Sequence, residues 1–138
     1  MEDLSLHIMD VVENSITAGA TVVAVEVEHN TAAGMLVVSI QDNGDGMDQA
    51  QSRRAMDPFY TTKQEKRIGL GLPLLKQSAE EAGGEMDMVS RPGTGTLIRA
   101  EFRLDHPDLK PLGDIEGTME LLRKFHPDIT FTLEWREE

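Results

Sequence analysis

Asp10 and Asn14 stand one helical turn apart, and at that spacing a carboxylate and an amide oxygen project from the same helix face. Together they could share one metal ion or one water, although the solvated side of an ordinary amphipathic helix would look the same. Asp42 follows an apolar strand and opens Asp42-Asn-Gly-Asp-Gly-Met47. Its carboxylate could accept from an exocyclic amine while the bare backbone of Gly44 and Gly46 lets a planar ring approach. A plain β-turn needs one such glycine and rarely a second, so the ligand and turn readings weigh equally. Gly69-Leu-Gly71-Leu-Pro73 opens a helix behind a polar stretch carrying Lys63, Lys66 and Arg67, an arrangement in which bare amides and cations meet phosphate. Gly93-Thr-Gly-Thr96 falls at a hairpin turn, whose geometry accounts for its glycines unaided.

More familiar chemistries fail on named residues. The Gly69-Leu-Gly71 run lacks the third glycine of a dinucleotide loop, and no Gly-Lys-Ser/Thr P-loop occurs. A calcium loop would need oxygen ligands where Gly44 and Gly46 stand and Glu where Arg53 stands. There is no Gly-x-Ser-x-Gly elbow and no His-Glu-x-x-His motif for serine hydrolase or zinc protease chemistry. The chain has no cysteine, and its His7, His29, His106 and His126 never fall at i, i+4 spacing, so a metal would be oxygen-bound. With 13 Lys and Arg against 25 Asp and Glu, the net charge of −12 disfavours nucleic acid and anionic membrane as partners. An anionic ligand has to be held by local groups.

The elements that position these residues follow from periodicity. A chain of 138 residues has the size of one domain with one core. Leu4, Ile8, Val11, Val12 and Ser15 keep helical spacing up to Gly19. Thr21 to His29 alternates with Val23, Val25 and Val27 on one face, and Met35 to Gln41 completes a hairpin. A short helix is predicted near Asp48 to Ala55, and the polar stretch from Asp57 to Ile68 reads as a mobile connection. From Leu70 a helix with Leu72, Leu75 and Ala79 on one face runs to Gly83-Gly84. Glu85 to Ser90 and Thr96 to Leu104 form a second hairpin, with Ile98, Ala100, Phe102 and Leu104 alternating inward. A helix from Asp114 to His126, carrying Ile115, Met119 and Leu122, precedes an alternating strand with Ile129, Phe131, Leu133 and Trp135. This tail packs on the core, caps the sheet edge, or forms a dimer or partner surface, the first being the simplest expectation. Helices and strands do not alternate strictly, so the fold class is an α/β (α+β) sandwich: a mixed, mostly antiparallel sheet covered on one face by helices. The sequence starts without the basic and apolar regions of a signal peptide, and no apolar run reaches membrane-spanning length, so a cytoplasmic protein is expected.

Taken in order, Asp-x-x-x-Asn, Asp-x-Gly-x-Gly, Phe-Tyr-Thr-Thr-Lys, Gly-Leu-Gly-Leu and Gly-Thr-Gly-Thr resemble the histidine-kinase-like ATPase superfamily, which includes sensor kinases, gyrase, Hsp90 and MutL. The resemblance covers about Leu4 to Leu104, and five individually loose boxes in the right order make a specific signal. It implies a Bergerat-type ATP-binding domain over residues 1–104, with 105–138 as a helix-strand extension packed on it. Glu13-Asn-Ser-Ile-Thr-Ala-Gly-Ala-Thr21 looks like the mismatch-repair branch, whereas Pro58-Phe-Tyr-Thr-Thr-Lys63 and Gly69 to Leu72 look like sensor histidine kinases. ATP and Mg²⁺ are the implied cofactors. By resemblance Asn14 binds Mg²⁺, Asp42 takes the adenine amine, Gly44, Gly46 and Met47 form the base pocket, and Thr96 reaches the base through water. Gly69, Leu70, Gly71 and Leu72 border the phosphates, and residues 57–68 form an ATP lid from which Lys63 and Arg67 reach the triphosphate.

Asp10 departs from the pattern, because the hydrolysing members carry Glu at this position and many sensor kinases carry Asn. An acid one methylene shorter implies slow intrinsic hydrolysis, while phosphoryl transfer can still rest on positioning and Mg²⁺. Too few residues precede Asp10 for the helical hairpin that bears the phosphoaccepting His of a full sensor kinase, and His7, one turn before Asp10, reads as structural. The expectation is a detached module that transfers the ATP phosphoryl group to a separate partner protein, on His in a relay or on Ser as in anti-sigma-factor kinases. The alternative is an ATP-gated interaction module with little or no catalysis, and a homodimer stays open. A mismatch-repair type of clamp would need a transducer domain that this length does not hold.

Overall fold

The computed structural model describes residues 3–57 and 71–137. Its first helix, α1 (Leu4–Thr17), buries Leu4, Ile8, Val11, Val12 and Ser15 along one stripe. Gly19 follows at φ +83, a left-handed conformation that glycine takes without a Cβ clash. β1 (Val22–Asn30) and β2 (Met35–Asp42) pair antiparallel, from Val23 opposite Asp42 to Asn30 opposite Met35. α2 (Gln49–Ala55) starts on a reciprocal cap, in which the Gln51 amide donates to the Asp48 carboxylate and the Asp48 amide donates to the Gln51 side chain. α3 (Gly71–Glu81), β3 (Met86–Arg91), β4 (Gly95–Arg103), α4 (Ile115–Phe125) and β5 (Thr130–Glu137) complete the described elements. The element order is the one expected, with ends displaced by a residue or so. Leu70, the expected start of α3, lies outside the described residues.

The sheet runs β3-β4-β2-β1-β5. Every neighbouring pair is antiparallel except β1 and β5, which are parallel. The sheet is therefore mixed and mostly antiparallel, and its core lies between one face and α1, α3 and α4. Val23, Val25 and Val27, then Leu36, Val38 and Ile40, then Ile98, Ala100 and Phe102 are the buried halves of three alternating strands. Ile8 and Val12, Leu75 and Ala79, and Ile115, Met119 and Leu122 cover them from the helices. Each Val, Leu, Ile, Phe or Met among them contributes roughly 1.5–3 kcal/mol over remaining exposed, and the two alanines less.

On the opposite face the alternation brings polar groups into rows. Glu26 faces Glu134 across the parallel pair, with Arg136 Nε 3.2 Å from the Glu26 carboxylate and Arg136 Nη2 3.4 Å from that of Glu134. Hydrogen bonding with Glu134, then desolvation, holds the Glu26 carboxyl above its usual range against the pull of Arg136.

The tail is bound to the core at both ends. β5 pairs with β1 from Thr130 opposite Val22 to Glu137 opposite His29. In the connection before α4, Pro111 O and Leu112 O accept from the amides of Leu4 and Ser5, both at 2.9 Å. These amides are first-turn donors that no helix carbonyl can reach, and the Asp3 side chain does not cap them. Trp135 falls on the helix side of the sheet by register with Val27, yet at the sheet edge it stays 47% exposed. Because Met119 of α4 and Leu75 of α3 are equally buried, Leu75→Ala and Met119→Ala should each cost about 2–5 kcal/mol in urea unfolding. A Met119→Ala loss near zero would mean that α4 does not belong to the core.

Candidate functional site

A cavity of about 270 Å³ opens between the second half of α1, the loop after β2, α2, the start of α3 as described, and β4. Its wall takes Val11, Asn14 and Ser15 from α1, Asp42 from the end of β2, Gly46 and Met47 from the loop after it, Gln51 and Arg54 from α2, Leu72 from α3, and Thr96 and Ile98 from β4.

Asp42 is the best-anchored polar group in that wall. Ser15 Oγ donates to Asp42 Oδ2 at 2.6 Å, and the Gly44 amide donates to Asp42 Oδ1 at 2.9 Å. A carboxylate offers about four acceptor sites, so two contacts fix its orientation and still leave room for a donor from the cavity. Ser15 is only 3% exposed and sits within the apolar stripe of α1. A hydroxyl in such a stripe requires a polar partner, a signal that the sequence carries without naming the partner.

Three sets of hydrogen bonds hold the loop that carries Asp42. Asn43 Oδ1 accepts from the amides of Thr21 and Val22 at 2.9 and 3.0 Å, and Asn43 Nδ2 donates to Thr21 Oγ1 at 2.9 Å. The Asp45 amide donates to Ala18 O at 2.8 Å, and the Gly93 amide donates to Asp45 O at 2.7 Å. The Met47 amide donates to Ser90 Oγ at 2.8 Å, and the Ser90 and Thr96 hydroxyls lie 2.7 Å apart. Thr96 itself is the register partner of Asp42, so the two side chains reach the cavity from adjacent strands.

The two loop glycines have separate duties. Gly46 has φ +71, and a Cβ there would fall 1.9 Å from Arg91 O, so close backbone packing demands glycine. Gly46 lines the cavity; Gly44 does not, being buried against Ala18 and acting through its amide on Asp42. Asn14 lines the cavity, whereas Asp10, one turn earlier and exposed, lies outside its wall. A Cβ on Gly71 would come 2.9 Å from Asp10 Cβ and 3.1 Å from the Val11 amide, so this glycine lets α3 close onto α1. Leu72 reaches the cavity and Gly71 does not. Lys63, Arg67, Gly69 and Leu70 lie outside the described residues.

Ser15, Gln51 and Arg54 are wall residues that the motif spacing did not single out. Arg54 is the one cationic side chain in the wall among the described residues. Its signal was the Arg53-Arg54 pair in an acidic chain, overshadowed by the cations of the following stretch.

A mixed sheet with helices on one face, and a cavity at the end of its β2 strand beneath α1, is the α/β fold also found in the MutL ATPase domain. The Aquifex aeolicus MutL ATPase domain complexed with ADP superposes with a TM-score of 0.57 at 15% identity, over 99% of this chain and 60% of that one. Residues 2–106 match the family described as histidine kinase-, DNA gyrase B- and HSP90-like ATPases, and the chain belongs to that family. A putative sensor protein of Shewanella frigidimarina is 37% identical over 78% of this chain and 17% of its own length. Sporulation kinase C of Bacillus subtilis is 33% identical over 70% of this chain and 22% of its own. The nitrogen regulation protein NtrY of Azorhizobium caulinodans is 35% identical over 63% and 11%. The chain thus spans about a fifth or less of the length of these relatives. No helix among the described residues is long and apolar enough to cross a membrane.

Because the Gly46 conformation and its approach to Arg91 both exclude a side chain, Gly46→Ala should destabilise the fold by about 2 kcal/mol or more in thermal or urea melts. Gly34→Ala is the control, since a Cβ there meets nothing within 4 Å at a similar φ of +69. The excess cost at Gly46 measures the packing of the loop.

Proposed function

We propose that this chain is a Mg-ATP-binding catalytic module that transfers the ATP phosphoryl group to a separate partner protein, on His in a relay or on Ser. The observation that carries the reading is Asp42, oriented by Ser15 and Gly44 at the wall of a cavity in a chain of this family. In this reading Asp42 accepts from the exocyclic amine of adenine, Met47 and Gly46 border the ring, and Thr96 serves the base through water.

Asn14 offers one amide oxygen to Mg²⁺ from the cavity wall. Among the described residues no group of three or more His, Asp or Glu could hold a metal by itself. Mg²⁺ keeps several waters and is bound by one or two protein oxygens together with substrate phosphates, and Asn14 would supply such an oxygen. Bound with ATP, the ion would neutralise charge on the transferring group. Lys63 and Arg67 are proposed to reach the triphosphate, and Gly69 and Leu70 to border it with Gly71 and Leu72. His7 is 2% exposed, which speaks against His7 as the phosphoacceptor.

Asp10 supports a second reading. A short acid outside the cavity wall is badly placed to orient water, as expected of an ATP-gated interaction module with little catalysis. The two readings part on phosphoryl transfer to an added acceptor, which the second does not allow.

Calorimetric titration tests the shared premise. ATP with Mg²⁺ should saturate the chain below about millimolar concentration, and Asp42→Asn should lose about 2 kcal/mol, roughly thirtyfold in affinity. Ser15→Ala should lose less, about 0.5–1.5 kcal/mol, because it loosens the carboxylate without removing it. Absence of binding with Mg²⁺ would sink both readings. Turnover adds a second check: Asp10→Glu is expected to raise ATP hydrolysis on the order of tenfold, by moving the acid one methylene outward. An unchanged rate would remove Asp10 from the chemistry, and a lower one would overturn the view that the acid is too short.

A further inference from the structure

The apolar rows of the sheet end in a polar one. Across β3, β4 and β2, Met88 stands beside Ile98 and Ile98 beside Ile40; two residues on, Ser90 stands beside Thr96 and Thr96 beside Asp42. By strand alternation all six lie on the helix side. Asp42 and Thr96 line the cavity, whereas Ser90, half-buried next to them, does not. A residue outside the wall serves a ligand only through its neighbours, and the Ser90 hydroxyl bonds two of them. It has one proton to give and two lone pairs to accept with. One lone pair takes the Met47 amide at 2.8 Å, a group that can only donate. The proton has two candidates, Thr96 Oγ1 at 2.7 Å and Gly95 O at 3.3 Å. Hydrogen bonds between oxygens run about 2.5–3.0 Å, so the contact with Thr96 is a full bond and that with Gly95 a poor one. Were Thr96 the donor, Ser90 would accept twice and its own proton would be left with the long contact. With Ser90 as donor both of its bonds are good, and the Thr96 proton turns into the cavity.

We propose that Ser90 is a positioning residue of this site: by donating to Thr96 it makes Thr96 a donor toward the bound base. The inference rests on the reading that the cavity holds ATP, and extends it to how the ring edge is read. A carboxylate that accepts, one strand away from a hydroxyl that donates, matches a ring edge whose amine donates and whose neighbouring nitrogen accepts. The polarity survives an intervening water. A water shared by Asp42 and Thr96 gives one hydrogen to the carboxylate, and only when Thr96 donates to it is the second left for the ring nitrogen. If Thr96 accepted instead, both hydrogens would be consumed within the wall.

A pair of nucleotides isolates that one contact: ATP, and a deaza analogue that keeps the amine but carries C–H in place of the ring nitrogen beside it. In calorimetry with Mg²⁺ on the full chain, the wild type should bind ATP about tenfold more tightly than the analogue, the worth of one hydrogen bond. Ser90→Ala should shrink that ratio to about twofold, whatever it does to both affinities through Met47. Ser90→Thr, which restores the hydroxyl on a strand that favours β-branched residues, should return it. In Thr96→Val the ratio should be lost with or without Ser90→Ala, since Ser90 acts only through Thr96. A Ser90→Ala chain that keeps the wild-type ratio, with both affinities unchanged or lowered alike, would assign Ser90 to loop structure alone and overturn the proposal. So would a wild type that binds the two nucleotides equally. A wild type that binds neither overturns the ATP reading as well, which tells the two failures apart.

Discussion

One hydrogen bond, from Ser15 Oγ to Asp42 Oδ2, joins the helix that floors the cavity to the strand that supplies its carboxylate. The bond bridges 27 positions of sequence and closes from a residue that is itself buried, so neither partner can reorient alone. The Gly44 amide takes the other oxygen, and Gly44 is in turn packed against the last turn of α1 through Ala18. A carboxylate held on both oxygens has little freedom left to lose, which is preorganisation of the kind a binding group needs. The surrounding loop serves this end: Asn43, Asp45 and Met47 each fasten it to a different element.

What could be read in the residues was what local periodicity encodes. Val23, Val25 and Val27 alternate because one face of β1 is covered, and Leu4, Ile8, Val11 and Val12 recur at helical spacing because one stripe of α1 is. Gly19 and the glycines at Gly83-Gly84 mark helix ends for the same local reason. Contacts made across the fold left a fainter trace. The parallel pairing of β5 with β1 depends on α4 carrying the chain over the helical layer, and nothing within Thr130 to Glu137 specifies it. The chain alone therefore left the tail's place open among core, sheet edge and partner surface.

The site divides in the same way. Asp42, Asn14 and Thr96 stand in motifs whose order along the chain suffices to bring them together. Gly44 and Gly46 read as one kind of residue, yet one serves a carboxylate and the other a backbone contact with Arg91, a difference set by the β3–β4 turn. Ser15 looked like a gap in an apolar stripe until its partner was placed. Arg54 is reached only because the cap at Asp48 fixes where α2 begins and hence which of its residues turn inward.

The amides of Leu4 and Ser5 end on Pro111 and Leu112, while Asn14 and Ser15 lie on the same helix more than two turns away. α1 is therefore a rigid rod with the tail's anchor at one end and the cavity at the other. Any coupling free energy between that anchor and the cavity would by thermodynamic reciprocity be the same in both directions. One helix thus touches both the segment beyond the family match and the cavity within it.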